Sequence, residues 1–310
     1  MCDTTFTFGQ RGSHYFQSPS RREYTRLPNK LTTLLTSAQL QEVHHVALGF
    51  EDSFLLTYRD KHGRDHIESQ NLPPELTTFL YATNPRGRLT RNIPALRLAL
   101  GPYNASFLIH DSASYIWLNL PPTLLSALQA RIKDGVWLDR PRIVALGADS
   151  NFLLITEGHA AIWDLGCYTM LSRMLEYSRT QARGIADVAG VALHAYRYEC
   201  FIAQAVNGAV VSENVPVHEG AGVAGMKEAV LKDVKEVEER AKGAERRARE
   251  KEVVRRRLEG AARRESVHGG QGGERGEVKE VFRAKGRGIR LSLSLSVSTG
   301  LAGSFSKMLG

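Results

Sequence analysis

A three-part phrase recurs along this chain. Ala47-Leu48-Gly49, Ala99-Leu100-Gly101 and Ala145-Leu146-Gly147 each lead through a short turn into a second apolar run: Ser53-Phe54-Leu55-Leu56, Ser106-Phe107-Leu108-Ile109 or Asn151-Phe152-Leu153-Leu154. A third run then ends in a polar residue and an apolar-Pro step, at Asn71-Leu72-Pro73-Pro74 and Asn119-Leu120-Pro121-Pro122, with Asp164-Leu165-Gly166 as a variant. Measured on the apolar residue of that step, the marks fall at Leu27, Leu72, Leu120, Leu165 and Val215, at intervals of 45, 48, 45 and 50 residues. A period in the 40s points to a propeller, a solenoid or a repeat array.

Five copies can be laid out. The first opens at Thr4 and closes at Pro28, the second runs from about Glu42 to Thr83, the third from Ala95 to Arg131 and the fourth from Arg142 to Glu176. The fifth spans Val191 to Pro216, with His194 where the others carry glycine. Each reads as strand, turn, strand, turn, strand and short helix. The first strand is a short apolar run stopped by a glycine that permits a positive φ in the turn. The second, such as Phe152-Leu153-Leu154-Ile155, is continuously apolar and is expected in the middle of its sheet, covered on both faces. The third contributes Ile67, Trp117, Trp163 or Val211, where a core aromatic outweighs a ligand-stacking platform.

Proline suits the first turn of a helix, where its missing N–H would have no partner. Leucines then recur at i, i+4, i+8: Leu27, Leu31 and Leu35; Leu72, Leu76 and Leu80; Leu120, Leu124 and Leu128. Met170 and Met174-Leu175 take this part in the fourth copy. These one-sided helices are expected to pack on their own sheets.

The charge is unevenly placed. Residues 1–225 hold 20 Lys+Arg and 20 Asp+Glu, so the net +8 arises in the remainder, which holds 21 and 13. From Met226 to about Val267 the sequence reads as one long charged helix. Val230, Val234, Val237, Ala241, Ala244 and Ala248 form a coiled-coil type seam, and favourably ordered i,i+4 pairs such as Glu252 with Arg256 flank it. The Gly, Lys and Arg-rich residues 268–310 read as a disordered low-complexity tail, ending in a Leu-Ser alternation that could form an adventitious strand.

Motifs that carry chemistry are sparse. Cys2, Cys167 and Cys200 are too widely spaced for a thiolate zinc site or a disulfide framework, which fits a reducing, intracellular setting. The opening residues lack a secretory leader and no apolar run is long enough to span a membrane. His44, His45, His62, His66, His110 and His159 sit at different steps of different copies without ligand spacing. No nucleophile elbow or phosphate-cradling loop can be picked out. No catalytic, cofactor-binding or metal-ligating residue is therefore assigned and no cofactor is expected. Between Arg240 and Arg264 there are 11 Lys+Arg against 4 Glu. Arg246, Arg247, Arg249, Arg255, Arg256 and Arg257 are the candidate polyanion contacts, against a simply solvated helix or coiled coil.

The fourth copy, VALGADSNFLLITEGHAAIWDLG, resembles blades of the regulator-of-chromosome-condensation family and of tectonin-type propellers, in which a glycine turn, an apolar strand, a second glycine turn and a tryptophan recur. The Leu-Pro-Pro helix is foreign to those families, so neither nucleotide exchange nor carbohydrate binding is carried over. The full unit looks more like repeats of uncharacterised fungal proteins. The expected fold is mainly β with α. It comprises a five-bladed β-propeller-like domain over residues 1–220, a long charged helix over 221–267 and the tail from 268. The expected function is non-enzymatic binding or scaffolding of a protein or small ligand through loops at one end of the array. Weak nucleic-acid or polyanion binding through the basic helix is the alternative, and an enzyme with a site in the propeller channel the second alternative. A protein partner and oligomerisation through the helix are expected, without membrane association.

Overall fold

The computed structural model describes residues 4–268, so the expectations for the tail beyond His268 lie outside the described residues. Five three-stranded antiparallel sheets follow one another along the chain, each ordered as in sequence. Sheet 1 holds β1 (Thr5–Phe8), β2 (His14–Gln17) and β3 (Arg22–Thr25), and sheet 2 holds β4 (Leu40–Leu48), β5 (Phe54–Asp60) and β6 (Asp65–Gln70). Sheet 3 comprises β7 (Arg97–Leu100), β8 (Phe107–His110) and β9 (Tyr115–Leu118). After a two-stranded hairpin, β10 (Ile132–Lys133) and β11 (Val136–Trp137), sheet 4 comprises β12 (Pro141–Leu146), β13 (Phe152–Thr156) and β14 (Ala161–Asp164). Sheet 5 is β15 (Val188–Leu193), β16 (Phe201–Ala205) and β17 (Val210–Glu213). Helices α1 (Asn29–Thr36), α2 (Pro74–Leu80), α3 (Pro122–Gln129), α4 (Thr169–Arg179) and α5 (Val217–His268) each follow a sheet.

The continuously apolar run is the middle strand every time, and the packing explains why it does not alternate. In β5, Phe54 and Leu56 face a cluster shared with sheet 1 and α1, whereas Leu55 faces one shared with sheet 3 and α2. Both faces are buried, so both need apolar side chains. The same logic repeats in the remaining clusters. Leu124 and Leu128 of α3 join Leu108 of sheet 3 to Phe152 and Leu154 of sheet 4. Leu171 and Leu175 of α4 join Leu153 of sheet 4 to Phe201 of sheet 5. Each helix therefore wedges between its own sheet and the next, not on its own sheet alone. In α4 the buried stripe is Leu171 and Leu175: Leu175 is buried as expected, whereas Leu171 takes the inward place expected for Met170, which is 44% exposed.

The glycine ending each first strand works differently from the sequence expectation. Its φ is −113° at Gly9, −86° at Gly101 and −112° at Gly147, all extended. The positive φ falls on following residues instead: Arg11, Glu51 and Asp52, Tyr103 and Asn104, Asp149 and Ser150. What excludes a side chain is space, because a Cβ on Gly147 would lie 2.7 Å from the Tyr168 ring. The turn itself is common to the copies: Gly9, Gly49, Gly101 and Gly147 donate their N–H to Ser13, Ser53, Ser106 and Asn151, and His194 donates to Cys200 in the fifth.

A second recurrent device precedes the helices. Arg26, Asn71, Asn119 and Asn214 have φ of 45–50°, a conformation that asparagine tolerates better than most residues. Asn71, Asn119 and Asn214 donate side-chain N–H to Glu51, Ala105 and Tyr198 carbonyls, so the end of the third strand is tied to the turn after the first. The recurrent prolines Pro28, Pro73 and Pro121 occupy the N-cap, with Pro74 and Pro122 at the first helical position. The β10–β11 hairpin was absent from the sequence expectation, although Asp134-Gly135, both at positive φ, is a strong two-residue turn signal.

The largest correction concerns α5. Its first residue is Val217, not Met226, so glycines 220, 222 and 225 lie inside it and the helix starts directly after the Val215-Pro216 step. Val223, Met226, Val230 and Val234 bury against Phe8 and Phe16 of sheet 1 and Ile202 and Val210 of sheet 5. Val230 and Val234 thus serve an intramolecular core, not an intermolecular seam. From Ala241 onward the seam residues Ala241, Ala244 and Ala248 are exposed. The chain divides into two compact units, Met1–Arg246 and Arg247–Gly310, the second represented among the described residues by the rest of α5.

Candidate functional site

Each first strand is paired on one side only within its sheet. β1 lies beside β4 and β15, β4 beside β7, β7 beside β12, and β12 beside β15. Side chains reinforce these neighbours: Arg142 donates Nη1–H to the Val188 carbonyl at 2.7 Å, and the Leu48 N–H reaches Thr7 Oγ1 at 3.4 Å. Between sheets 2 and 3, His45 Nε2 sits 3.2 Å from both the N and O of Leu98. The five strands wall a cavity of about 1090 Å³.

The two ends of this cavity differ. Where the strands finish, the glycine turns gather and the lining is apolar and aromatic, with Phe8, Leu100, Leu146, Leu193 and Tyr196. Tyr196, on the turn of sheet 5, reaches the turn of sheet 3: its ring meets Tyr103 edge-on at 5.6 Å and its hydroxyl accepts the Tyr103 N–H at 3.1 Å. Phe50 from sheet 2 completes the row, 5.1 Å from Tyr103.

Where the strands begin, the lining is cationic. Arg21, Arg22, Arg59, Arg97 and Arg142 all border the cavity, against one carboxylate, Glu42, among the described lining residues. Arg59 is bidentate to Asp65 at 2.9 and 3.2 Å and lies 3.7 Å from Glu42, and Arg21 pairs with Glu23. Arg142 is the extra residue of a β-bulge, because Pro141 pairs with Thr156 and Ile143 with Ile155. Bulges re-aim a side chain out of the pleat, which accounts for Arg142 turning to the cavity while Ile143 enters the core. Burial lowers the Arg142 pKa from its ordinary value, with Glu157 opposing, and Glu157 is itself held by Arg140. Burial also pushes His45 down to about 3, helped by the charge of Arg97, and His110 down to about 4. Both imidazoles are therefore neutral at physiological pH.

Elsewhere the histidines serve local structure. His44 lies 2.9 Å from Asp65, and His66 2.9 Å from Asp60, a turn-organising carboxylate that also accepts N–H from His62 and Arg64. Among the described residues no group of three or more His, Cys, Asp and Glu has the geometry to hold a metal ion. Trp163 is half-buried with the Arg179 guanidinium 3.9 Å over its ring, and Trp117 stacks on Tyr115 at 5.3 Å. Neither reaches the cavity lining.

The polyanion candidates belong to α5, and none of them is among the residues lining the cavity. Arg246, Arg247, Arg249, Arg255 and Arg256 are exposed, Arg256 bonding Glu252 at 2.6 Å, while the Arg257 side chain lies outside the described part. Sequence reasoning missed the basic cavity end altogether. Its residues belong to different copies, and the one available signal was that Arg97 and His45 both stand four residues before their turn glycines. Among the described residues no helix is long and apolar enough to cross a membrane. No protein-family model matches this sequence, and no curated protein matches it at significant similarity.

Proposed function

We propose that the five sheets close into a five-bladed propeller and that the protein is a non-enzymatic binding module whose ligand enters the cavity at the end where the first strands begin. The observation that carries this reading is the cavity itself, walled by the free edges of all five first strands and crossed at its far end by Tyr196. Closure is supported by the fifth core cluster, in which α5 wedges between sheets 5 and 1 as the other helices do between consecutive sheets. A volume of about 1090 Å³ suits a small organic molecule. Binding in place of catalysis is supported by the state of the imidazoles: His45 is engaged with the Leu98 backbone, and both it and His110 are poor bases. The test is a small-molecule screen on the full chain alongside Gly190→Leu. Gly190 lines the cavity, its φ is not in the left-handed region, and a Cβ there meets only Gln204 Oε1, at 3.9 Å. Hits should vanish in the variant while its melting temperature is retained; hits indifferent to Gly190→Leu would remove the cavity from the function.

A second reading rests on the exposed arginines of α5. Arg246, Arg249 and Arg256 share a broad arc of the helix at about 100° per residue, which supports weak polyanion contact with a shallow salt slope. Titration of the full chain with generic nucleic acid should show binding at low salt that is lost at physiological salt; no binding at low salt would sink it.

A further inference from the structure

Four residues lining the cavity carry buried polar atoms that no group among the described residues satisfies: Ser18 Oγ, Arg22 Nε, His110 Nδ1, and Nε and Nη2 of Arg142. They come from the β2–β3 turn, the start of β3, the end of β8 and the bulge of β12. Unsatisfied buried polar groups are rare in folded proteins because each forfeits its hydration without replacement. A guanidinium costs most, since its charge cannot be discarded near neutral pH. Arg142 spends Nη1 on the Val188 carbonyl, which leaves two donors of one planar fork without acceptors. Arg22 spends Nη1 on the Leu35 carbonyl at 3.3 Å and keeps Nε.

We propose that this end of the cavity is an anion site for the carboxylate or phosphate of a small organic molecule, with Arg142 as its principal ligand and Arg22 supporting it, and that the molecule's apolar body extends toward Phe8 and Tyr196. The inference rests on the cavity reading above. Two features select the chemistry. A flat guanidinium carries Nε–H and Nη2–H side by side, a fork that matches the two oxygens of a carboxylate or phosphate once the Arg142 side chain turns it from its buried position toward the cavity. The one carboxylate among the described lining residues, Glu42, lies beside Arg59, so it does not fill the site from within. The opposite end offers aromatic and aliphatic surface, so a free inorganic ion would leave it unused.

The probes are 2-naphthoate, 2-naphthyl phosphate, inorganic phosphate and the uncharged 2-naphthol, titrated calorimetrically into the full chain and into Arg142→Met, Arg142→Lys and Gly190→Leu. Arg142→Met should fold, because replacing a buried charge by an apolar side chain of similar length is often neutral or stabilising. A melting curve on each variant checks this. One of the two organic anions should bind at least about 10-fold more tightly than naphthol, as a charge-assisted hydrogen bond requires, and inorganic phosphate more weakly than naphthyl phosphate. The preferred anion identifies the headgroup. Arg142→Met should bring anion binding down to the naphthol level, with Arg142→Lys intermediate and naphthol itself unchanged. Equal binding of naphthol and the anions, an unaffected Arg142→Met, or no binding of any probe overturns the anion site. If naphthol binds as well as the anions and Gly190→Leu abolishes both, the cavity reading survives and only the anion assignment falls. Anion binding that persists in both Arg142→Met and Gly190→Leu belongs to the arginines of α5 and defeats both.

Discussion

At the level of single residues, two positions decide more than their chemistry suggests. Gly147 looks like a turn glycine, yet its backbone is extended and the constraint is the Tyr168 ring against its α-carbon. Tyr168 cannot retreat: it is fully buried, accepts the Ala148 N–H at 2.9 Å and donates to the His194 carbonyl at 2.8 Å, tying the turns of sheets 4 and 5. Gly147→Ala should therefore cost about 1–3 kcal/mol through overpacking, measured by urea denaturation. An unchanged midpoint would show that the turn yields. Glu219 is the opposite case, a fully buried carboxyl whose oxygens find no hydrogen-bond partner among the described residues, with His218 Nε2 3.5 Å away. Burial raises its pKa to about 7 against the opposing charges of Arg197 and Arg26. The unfolded chain releases this proton near pH 4.5, so the folded state binds one proton more between about pH 4.5 and 7. Stability should decline across that window and stay at the lower level above it. Glu219→Gln removes the titration, and its denaturation midpoint should change less from pH 5 to pH 8 than that of the parent. Parallel curves would place the carboxylate in contact with solvent.

Among the elements, α5 combines two roles along one helix. Its first five turns are the fifth inter-sheet wedge, burying Val223, Met226, Val230 and Val234, while the residues past Ala241 are exposed. Burying a side chain of this size stabilises by about 1.5–3 kcal/mol, so the wedge contributes an amount comparable with the net stability of a domain. A chain ending at Pro216 should fail to give a cooperative melt, whereas one ending at Arg246 should melt within a few degrees of the full chain. Equal melting of the two truncations would show that the contact between sheets 5 and 1 stands without its helix. The other helices are too short to be stable alone, with α2 running only Pro74–Leu80, so their stability derives from the wedge position itself.

For the molecule as a whole, cores shared between neighbouring sheets make each repeat depend on the next. Phe152 is fully buried in the cluster that joins sheets 3 and 4 through α3. Phe152→Ala should cost about 3–5 kcal/mol, because a cavity there is bounded by three elements that cannot all collapse into it. Residues 4–246 should still unfold in a single transition, since no sheet owns a complete core. A loss below about 1 kcal/mol, well under the usual range, or a separate early transition confined to one repeat, would contradict this coupling.

The sequence by itself determined the repeat, the order of strands and helix within it, the apolar middle strand and the leucine stripes of α1 to α3. These are written in periods of two and of 3.6 residues and in turn chemistry, all readable within ten residues or so. Even there the phase could slip, as in α4, where Leu171 and not Met170 faces inward, because both sides of the stripe carry apolar residues. The tertiary structure decided what depends on neighbours distant in the chain. It set the wedge position of each helix and the steric role of Gly147. It made α5 begin at Val217, where burial between two sheets outweighs the helix penalty of three glycines. The basic cavity end belongs with these. Arg22, Arg97 and Arg142 stand 75 and 45 residues apart in sequence, and the one local sign of them is the place of Arg97 four residues before its turn glycine. They border one space because a bulge in β12 and the gathering of five strand starts bring them there, a juxtaposition created by packing and not by any single segment.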